Sequence, residues 1–205
     1  TVLLRLDQDN PMLMAARRAG FTPYQHETLL RGKGRQEGSD GVTDLPGRRN
    51  RLKADDLPLF RLYSDITPTP IRAVEGMTLN EWKEHQDSAA GRVREYVWCE
   101  ADRCWGWLQV AAAGSHGELR MLCLPETEDR LIAIIGSGLA QLGKGGQVLV
   151  LVPDYQAVQA RVLTDRFSFE AVGRYVTLAK QLSVRVGQLR TVPAGARLAS
   201  GSSGL

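Results

Sequence analysis

Cysteine is scarce in this chain, three among 205 residues, too few for a disulfide-rich secreted scaffold and in keeping with a reducing, cytoplasmic compartment. Long apolar runs are missing too, and none approaches the ~18 residues a membrane span requires. The opening Thr1-Val-Leu-Leu-Arg-Leu-Asp7 places an arginine and an aspartate where a signal peptide keeps its apolar stretch. Neither sign of charge dominates: 26 Lys+Arg against 23 Asp+Glu leaves +3, too mild to argue for nucleic acid or a membrane as partner. Cys99 and Cys104 flank a short turn and can face each other across a hairpin, but no second cysteine or histidine pair accompanies them, so no metal site is expected. What is present, 43% hydrophobic and 24% charged residues, describes a soluble α/β protein, and ~150 residues per domain allows one to two domains.

The local patterns begin with a strand. Val2-Leu3-Leu4-Arg5-Leu6 is a short apolar run that stops at Asp9-Asn10-Pro11, a helix start with a capping side chain and an early proline. Met12, Leu13, Ala15, Ala16 and Ala19 keep helical spacing up to Gly20, and Tyr24 to Leu30 reads as a second strand. Further on, Leu57–Tyr63 reads as a lead-in strand, and the prolines of Thr67-Pro68-Thr69-Pro70 favour extended backbone continuing into Ile71–Val74. Thr78-Leu79-Asn80-Glu81 is a capping box opening a short helix that carries Trp82. Three β-rich runs, 95–100, 104–110 and 118–124, joined by short turns, predict an antiparallel meander. A helix over 126–142 follows, with an apolar face from Leu131 to Leu142, in which Gly136 and Gly138 cost about 1 kcal/mol each. The strand Val148–Val152 leads into it a final helix and a last strand, Arg174–Leu178.

That last strand–helix–strand repeats the first. An offset of 148 residues lays Arg18 on Arg166, Gly20 on Ser168 and Phe21 on Phe169. The expected organisation is therefore residues 1–31 as the closing part of one unit, 32–56 as a linker, 57–187 as a complete second unit and 188–205 as a flexible Gly/Ser-rich tail. The linker holds the basic cluster Arg48-Arg49-Asn50-Arg51-Leu52-Lys53, but no aromatic residue interleaves with it to stack bases.

The order β, α, β-β-β, α, β, α, β over residues 57–187 resembles the GNAT family of acetyl-coenzyme A-dependent N-acetyltransferases. Ala15-Ala-Arg-Arg-Ala-Gly-Phe-Thr-Pro-Tyr24 is similar to the family's helix ending in Gly-Phe, and Met121-Leu-Cys-Leu-Pro125 to the end of its meander. The resemblance implies a mixed, mostly antiparallel sheet flanked by helices, acetyl-CoA as cofactor and a small amine as substrate. It also implies that the backbone of Leu122, Cys123 and Leu124 meets the pantetheine, and that Arg130 and Ala133 lie at the pyrophosphate loop.

Two departures from the family pattern bear on activity. The family's loop reads Gln/Arg-x-x-Gly-x-Gly/Ala, because amides approach phosphate oxygens only where no Cβ intervenes. Here Glu128 stands at the Gln/Arg place and Leu131 at the central glycine, with Glu126 and Asp129 adding charge to the same helix start. Two like charges at 4 Å repel by about 4 kcal/mol at an effective dielectric near 20. The family's leaving-group tyrosine, five residues before the Phe, is replaced by Thr164 and by Ala16, while Tyr155 sits at the helix start and reads as a packing or surface aromatic. Glu100, Glu118 and His116 are the candidate bases near the strands. The expectation is a degenerate C-terminal module of a tandem acetyltransferase, with a non-catalytic scaffold, small-ligand or dimerisation module as the alternative. Residues 1–31, rich in apolar side chains, are expected to contact a sister module or a second chain.

Overall fold

A computed structural model describes residues 1–34, 46–86, 89–124, 128–142 and 145–182. The expected tail and the middle of the expected linker lie outside the described residues. Eight strands form one sheet: β1 (Val2–Asp7), β2 (Thr22–Lys33), β3 (Arg48–Asn50), β4 (Arg92–Glu100), β5 (Arg103–Ala113), β6 (His116–Cys123), β7 (Gln147–Pro153) and β8 (Glu170–Lys180). Among the described residues six α-helices accompany them: α1 (Met12–Arg18), α2 (Asp56–Ile66), α3 (Thr69–Glu75), α4 (Leu79–Glu84), α5 (Glu128–Leu139) and α6 (Ala157–Phe167). The spatial order is β1-β8-β2-β7-β6-β5-β4-β3. Only β6 and β7 run parallel; the other neighbours are antiparallel. The sheet is thus the mixed, mostly antiparallel one that the element order predicts.

Two stretches differ from the sequence reading. Residues 57–63 and 71–74 are helical, within α2 and α3, where strands were expected. Leu59, Leu62, Tyr63 and Ile66 recur at helical spacing and turn one face to the core. Pro58 and Pro70 fall in the first turns of their helices, where the missing N–H costs nothing. The capping box forms as read: the Glu81 amide donates to Thr78 Oγ1 at 3.3 Å, and Glu81 Oε2 accepts from the Thr78 amide at 3.0 Å. The basic stretch around residue 50 is ordered by ion pairs. Arg49 grips Asp55 at 2.6 Å, and Arg51 bridges Asp56 and Glu95 at 2.7 and 2.5 Å. At the next hairpin Cys99 and Cys104 form a disulfide, a pairing that the reading of a reducing compartment does not anticipate.

The placement of β2 determines the rest. It lies between β7 and β8, so that residues 1–33 complete the same sheet as residues 92–180. The segments β1-α1-β2 and β7-α6-β8 interleave about a pseudo-twofold axis near the Glu27↔Tyr175 pair, two residues separated by the 148 positions of the sequence offset. Gly20 and Ser168, matched by that offset, both take positive φ, +86° and +54°, at the ends of α1 and α6. The Phe that follows each is treated differently. Phe169 is 3% exposed in the main core, while Phe21 packs on a small cluster of Ala16, Val176, Leu178, Leu4 and Leu6. Gly32 makes the Phe169 seat possible, since a Cβ there would lie 2.5 Å from the ring.

Phe169→Ala is expected to cost about 3–5 kcal/mol in chemical denaturation, the usual range for emptying a buried Phe site, and Phe21→Ala clearly less. Equal losses would mean that the two repeat positions are equally buried.

Candidate functional site

A cleft opens where β6 and β7 part. The two strands pair only from His116↔Gln147 to Leu119↔Val150. Beyond that point β6 stays with β5, where Met121 and Leu122 face Leu108 and Trp107, and β7 stays with β2, where Val152 faces Thr28. The V-shaped gap holds a cleft of about 150 Å³ whose walls include Cys123, Leu124, Glu128, Leu131, Tyr155 and Gln159. Ligand pockets usually span ~300–1,000 Å³, so this one is narrow. A wider depression of about 630 Å³ lies at the β3–β4 edge, but its walls include the Arg51–Asp56–Glu95 ion-pair network, which uses its charges on one another.

The sequence-derived site residues divide. Cys123 and Leu124 line the cleft. Leu122 is partly buried against the core, and the Leu124 amide donates to the Trp105 carbonyl at 3.0 Å. Arg130 turns toward β5: its guanidinium stacks 4.5 Å over the Trp105 ring and lies 3.7 Å from Glu100. Ala133 is 7% exposed, buried within α5. Glu126 lies outside the described residues. Glu128, whose charge was read as unfavourable, is neutralised from across the cleft mouth, because Arg161 and Arg166 on α6 reach it at 3.0 and 3.7 Å. Gly138 lets α5 lie close on the sheet; a Cβ there would meet Leu119 at 3.0 Å. The candidate bases stand elsewhere. His116 is exposed at the opposite end of β6, Glu118 pairs with Arg120 at 2.6 Å, and Glu100 is exposed at the hairpin.

Tyr155, read from sequence as a packing or surface aromatic, is a wall of the cleft. Its hydroxyl lies 3.4 Å from Thr67 Oγ1, and burial pushes its pKa up to about 12. Close by is a polar cluster that sequence reasoning missed. Tyr24 on β2 and Tyr63 on α2 both donate to the Glu75 carboxylate of α3, each at 3.0 Å. Burial is the largest influence on Glu75 and raises its pKa, outweighing the two hydroxyl bonds. Tyr24 and Tyr63 are also pushed up, by burial first and by the Glu75 charge next. Adjacent on the sheet, Glu27 accepts from Arg5 at 2.6 Å, Thr177 at 2.9 Å and Gln25 at 3.0 Å. The helical spacing of 59–66 was the available signal for Tyr63. Tyr24 and Glu75 carried none, since the partner of each lies in a distant element.

No protein-family model and no curated protein matches the sequence. Solved structures do. An acetyltransferase of the GNAT family from Novosphingobium aromaticivorans superposes with a TM-score of 0.52 at 16% identity, over 88% of this chain and 74% of that one. A GCN5-related N-acetyltransferase from Sphaerobacter thermophilus gives 0.51 at 12% identity, over 86% of this chain and 59% of that one. A conserved Enterococcus faecalis protein of unknown function gives 0.55 at 14%, with 86% of this chain matching only 45% of it. At these identities the likeness concerns the fold, which is that of the GNAT proteins. Among the described residues no group of three or more His, Cys, Asp or Glu could hold a metal ion, and no helix is long and apolar enough to cross a membrane.

A group with a raised folded pKa stabilises the fold below its unfolded value, ~4.3 for Glu, and loses that contribution as pH rises through the folded value. Glu75→Gln, which keeps partners for both tyrosines, is therefore expected to be more stable than the parent at pH 7–8, with the gap closing toward pH ~4. Thermal melts across that range measure it, and a destabilised Gln variant at pH 7 would mean that the carboxylate is held as a favourable anion.

Proposed function

We propose that this chain is the C-terminal module of a tandem, acetyl-CoA-dependent N-acetyltransferase of the GNAT type, acting in the cytoplasm on a small amine. In this reading the module seen here is degenerate, and the cofactor is gripped by the sister module. One observation carries the degenerate part: the Glu128 carboxylate already holds Arg161 and Arg166 across the mouth of the β6–β7 gap. A diphosphate entering there would have to displace an internal anion, and would meet the Cβ of Leu131 where a bare amide is needed. The narrowness of the cleft points the same way. The two-module part is supported by the interleaved β1-α1-β2 and β7-α6-β8 segments, matched in sequence offset and in the positive φ at each helix end.

The cleft keeps features that acetyl-CoA would meet if it bound. Cys123 and Leu124 would face the pantetheine from the free flank of β6, and Tyr155 would bring a hydroxyl-bearing side chain to the same cleft. The bound thioester supplies the acyl group. Glu75, held by Tyr24 and Tyr63, is a buried carboxyl suited to receive a proton from an ammonium. The alternative, a non-catalytic GNAT-fold scaffold, is favoured by how much of the sheet depends on β2.

A thermal-shift titration with acetyl-CoA tests the reading. A ligand at 100 times its Kd stabilises by ~2.7 kcal/mol; the expected result for this chain is no shift at millimolar cofactor. A saturable shift, lost in Tyr155→Phe or in a Cys123→Trp variant that fills the gap, overturns the degenerate assignment. Absence of acetyl transfer to amines by the two-module protein leaves the scaffold reading in its place.

A further inference from the structure

The pseudo-twofold axis makes each position of β1-α1 comparable with one of β7-α6, and three comparisons agree. Val2 is 41% exposed, while Val150, its counterpart 148 residues on, is 0% exposed. Met14 is 58% exposed and Val162 is 1%. Arg18 is exposed and has no ion-pair partner among the described residues, whereas Arg166 reaches Glu128. What covers the second set is known: β6 pairs in parallel with β7, and α5, carrying Glu128, packs on α6. Nothing among the described residues does the same for the first. The outer edge of β1 also lacks the usual defences of an edge strand. It contains no proline, its register with β8 runs without a bulge from Val2 to Asp7, and its one arginine is drawn to Glu27.

We infer that the open edge of β1, with the Met14–Arg18 face of α1, docks a second module of this fold, which adds a strand parallel to β1 and sets an acid-bearing helix start beside Arg18. The inference deepens the two-module reading above and rests on it. Another copy of this chain does not supply the added strand in that geometry, because the copy's β6 is held by β5 from His116 to Cys123 and by β7 from His116 to Leu119.

Residues 115–142 of this chain, which hold β6 and α5, are a ready probe. Joined ahead of Thr1 through a flexible Gly/Ser linker, they are presented to β1 at millimolar effective concentration. Hydrogen exchange, with sedimentation of the untethered chain, reads the result. The expected outcome is exchange slowed at least ~10-fold at the outward amides of β1, as for strand ladders that open only on unfolding, with the outer edge of β4 unchanged. Arg18→Glu should weaken that protection ~3-fold, the scale of an exposed ion pair, and Glu128→Lys in the tethered segment should restore it. Unchanged β1 exchange overturns the inference, as does equal protection of β4 or an untethered dimer with β1 protected. Acetyl-CoA titration of the same protein is read separately. Cofactor binding would sink the degenerate assignment and leave the docking edge standing, and loss of β1 protection would do the reverse.

Discussion

Everything in this fold hangs on β2 occupying the gap between β7 and β8. Without it, each of those strands would face solvent along a full row of backbone groups, and Leu30 would have no place beside Val150 in the core. The register is tightly held because one face is apolar. A slip of a single residue would carry Leu30 out and bring Arg31 in, at a cost no local interaction offsets. Glu27 adds a polar lock at the centre, drawing Arg5 of β1 and Thr177 of β8 onto one carboxylate. A buried charge of this kind is tolerated because its oxygens are shared among three donors.

The same insertion shapes the cleft. Because β7 is committed to β2 on one side, it leaves β6 after four paired positions, and the gap between them widens toward Cys123 and Tyr155. Around this gap, charge is handled in two ways. At the mouth, Glu128 and the α6 arginines satisfy one another near solvent. Deeper in, Glu75 has only neutral hydroxyls as bonded partners, so burial decides its protonation. The first arrangement closes a place where an anion would sit, and the second leaves a carboxyl ready to exchange a proton.

Much of the architecture was legible in the sequence. The apolar runs at 2–6 and 148–152, the capping box at Thr78 and the meander after Glu95 all appear in the structure, since each is a local pattern with a local cause. The misread segments are also instructive. Pro68 and Pro70 favour extended backbone and 57–63 reads as a lead-in strand, yet a proline in a first turn, as Pro58 and Pro70 are, is compatible with a helix, and the spacing from Leu59 to Ile66 is the better guide. The mutual placement of Tyr24, Tyr63 and Glu75 was beyond reach, because it arises only when β2 is threaded between β7 and β8, which come more than a hundred residues later. The glycines at 136 and 138 looked like weaknesses of a helix. In the packed structure Gly138 brings α5 down onto Leu119.

The long loop closed by β2 also bears on how the molecule assembles. Thr28 finds one neighbour at Val152 and the other at Arg174, so this strand waits through the synthesis of more than a hundred further residues with its amides unmatched. Contacts of such sequence separation make folding slow and late. Until β8 emerges from the ribosome, β2 is a sticky ribbon exposed to chaperones and to other nascent chains.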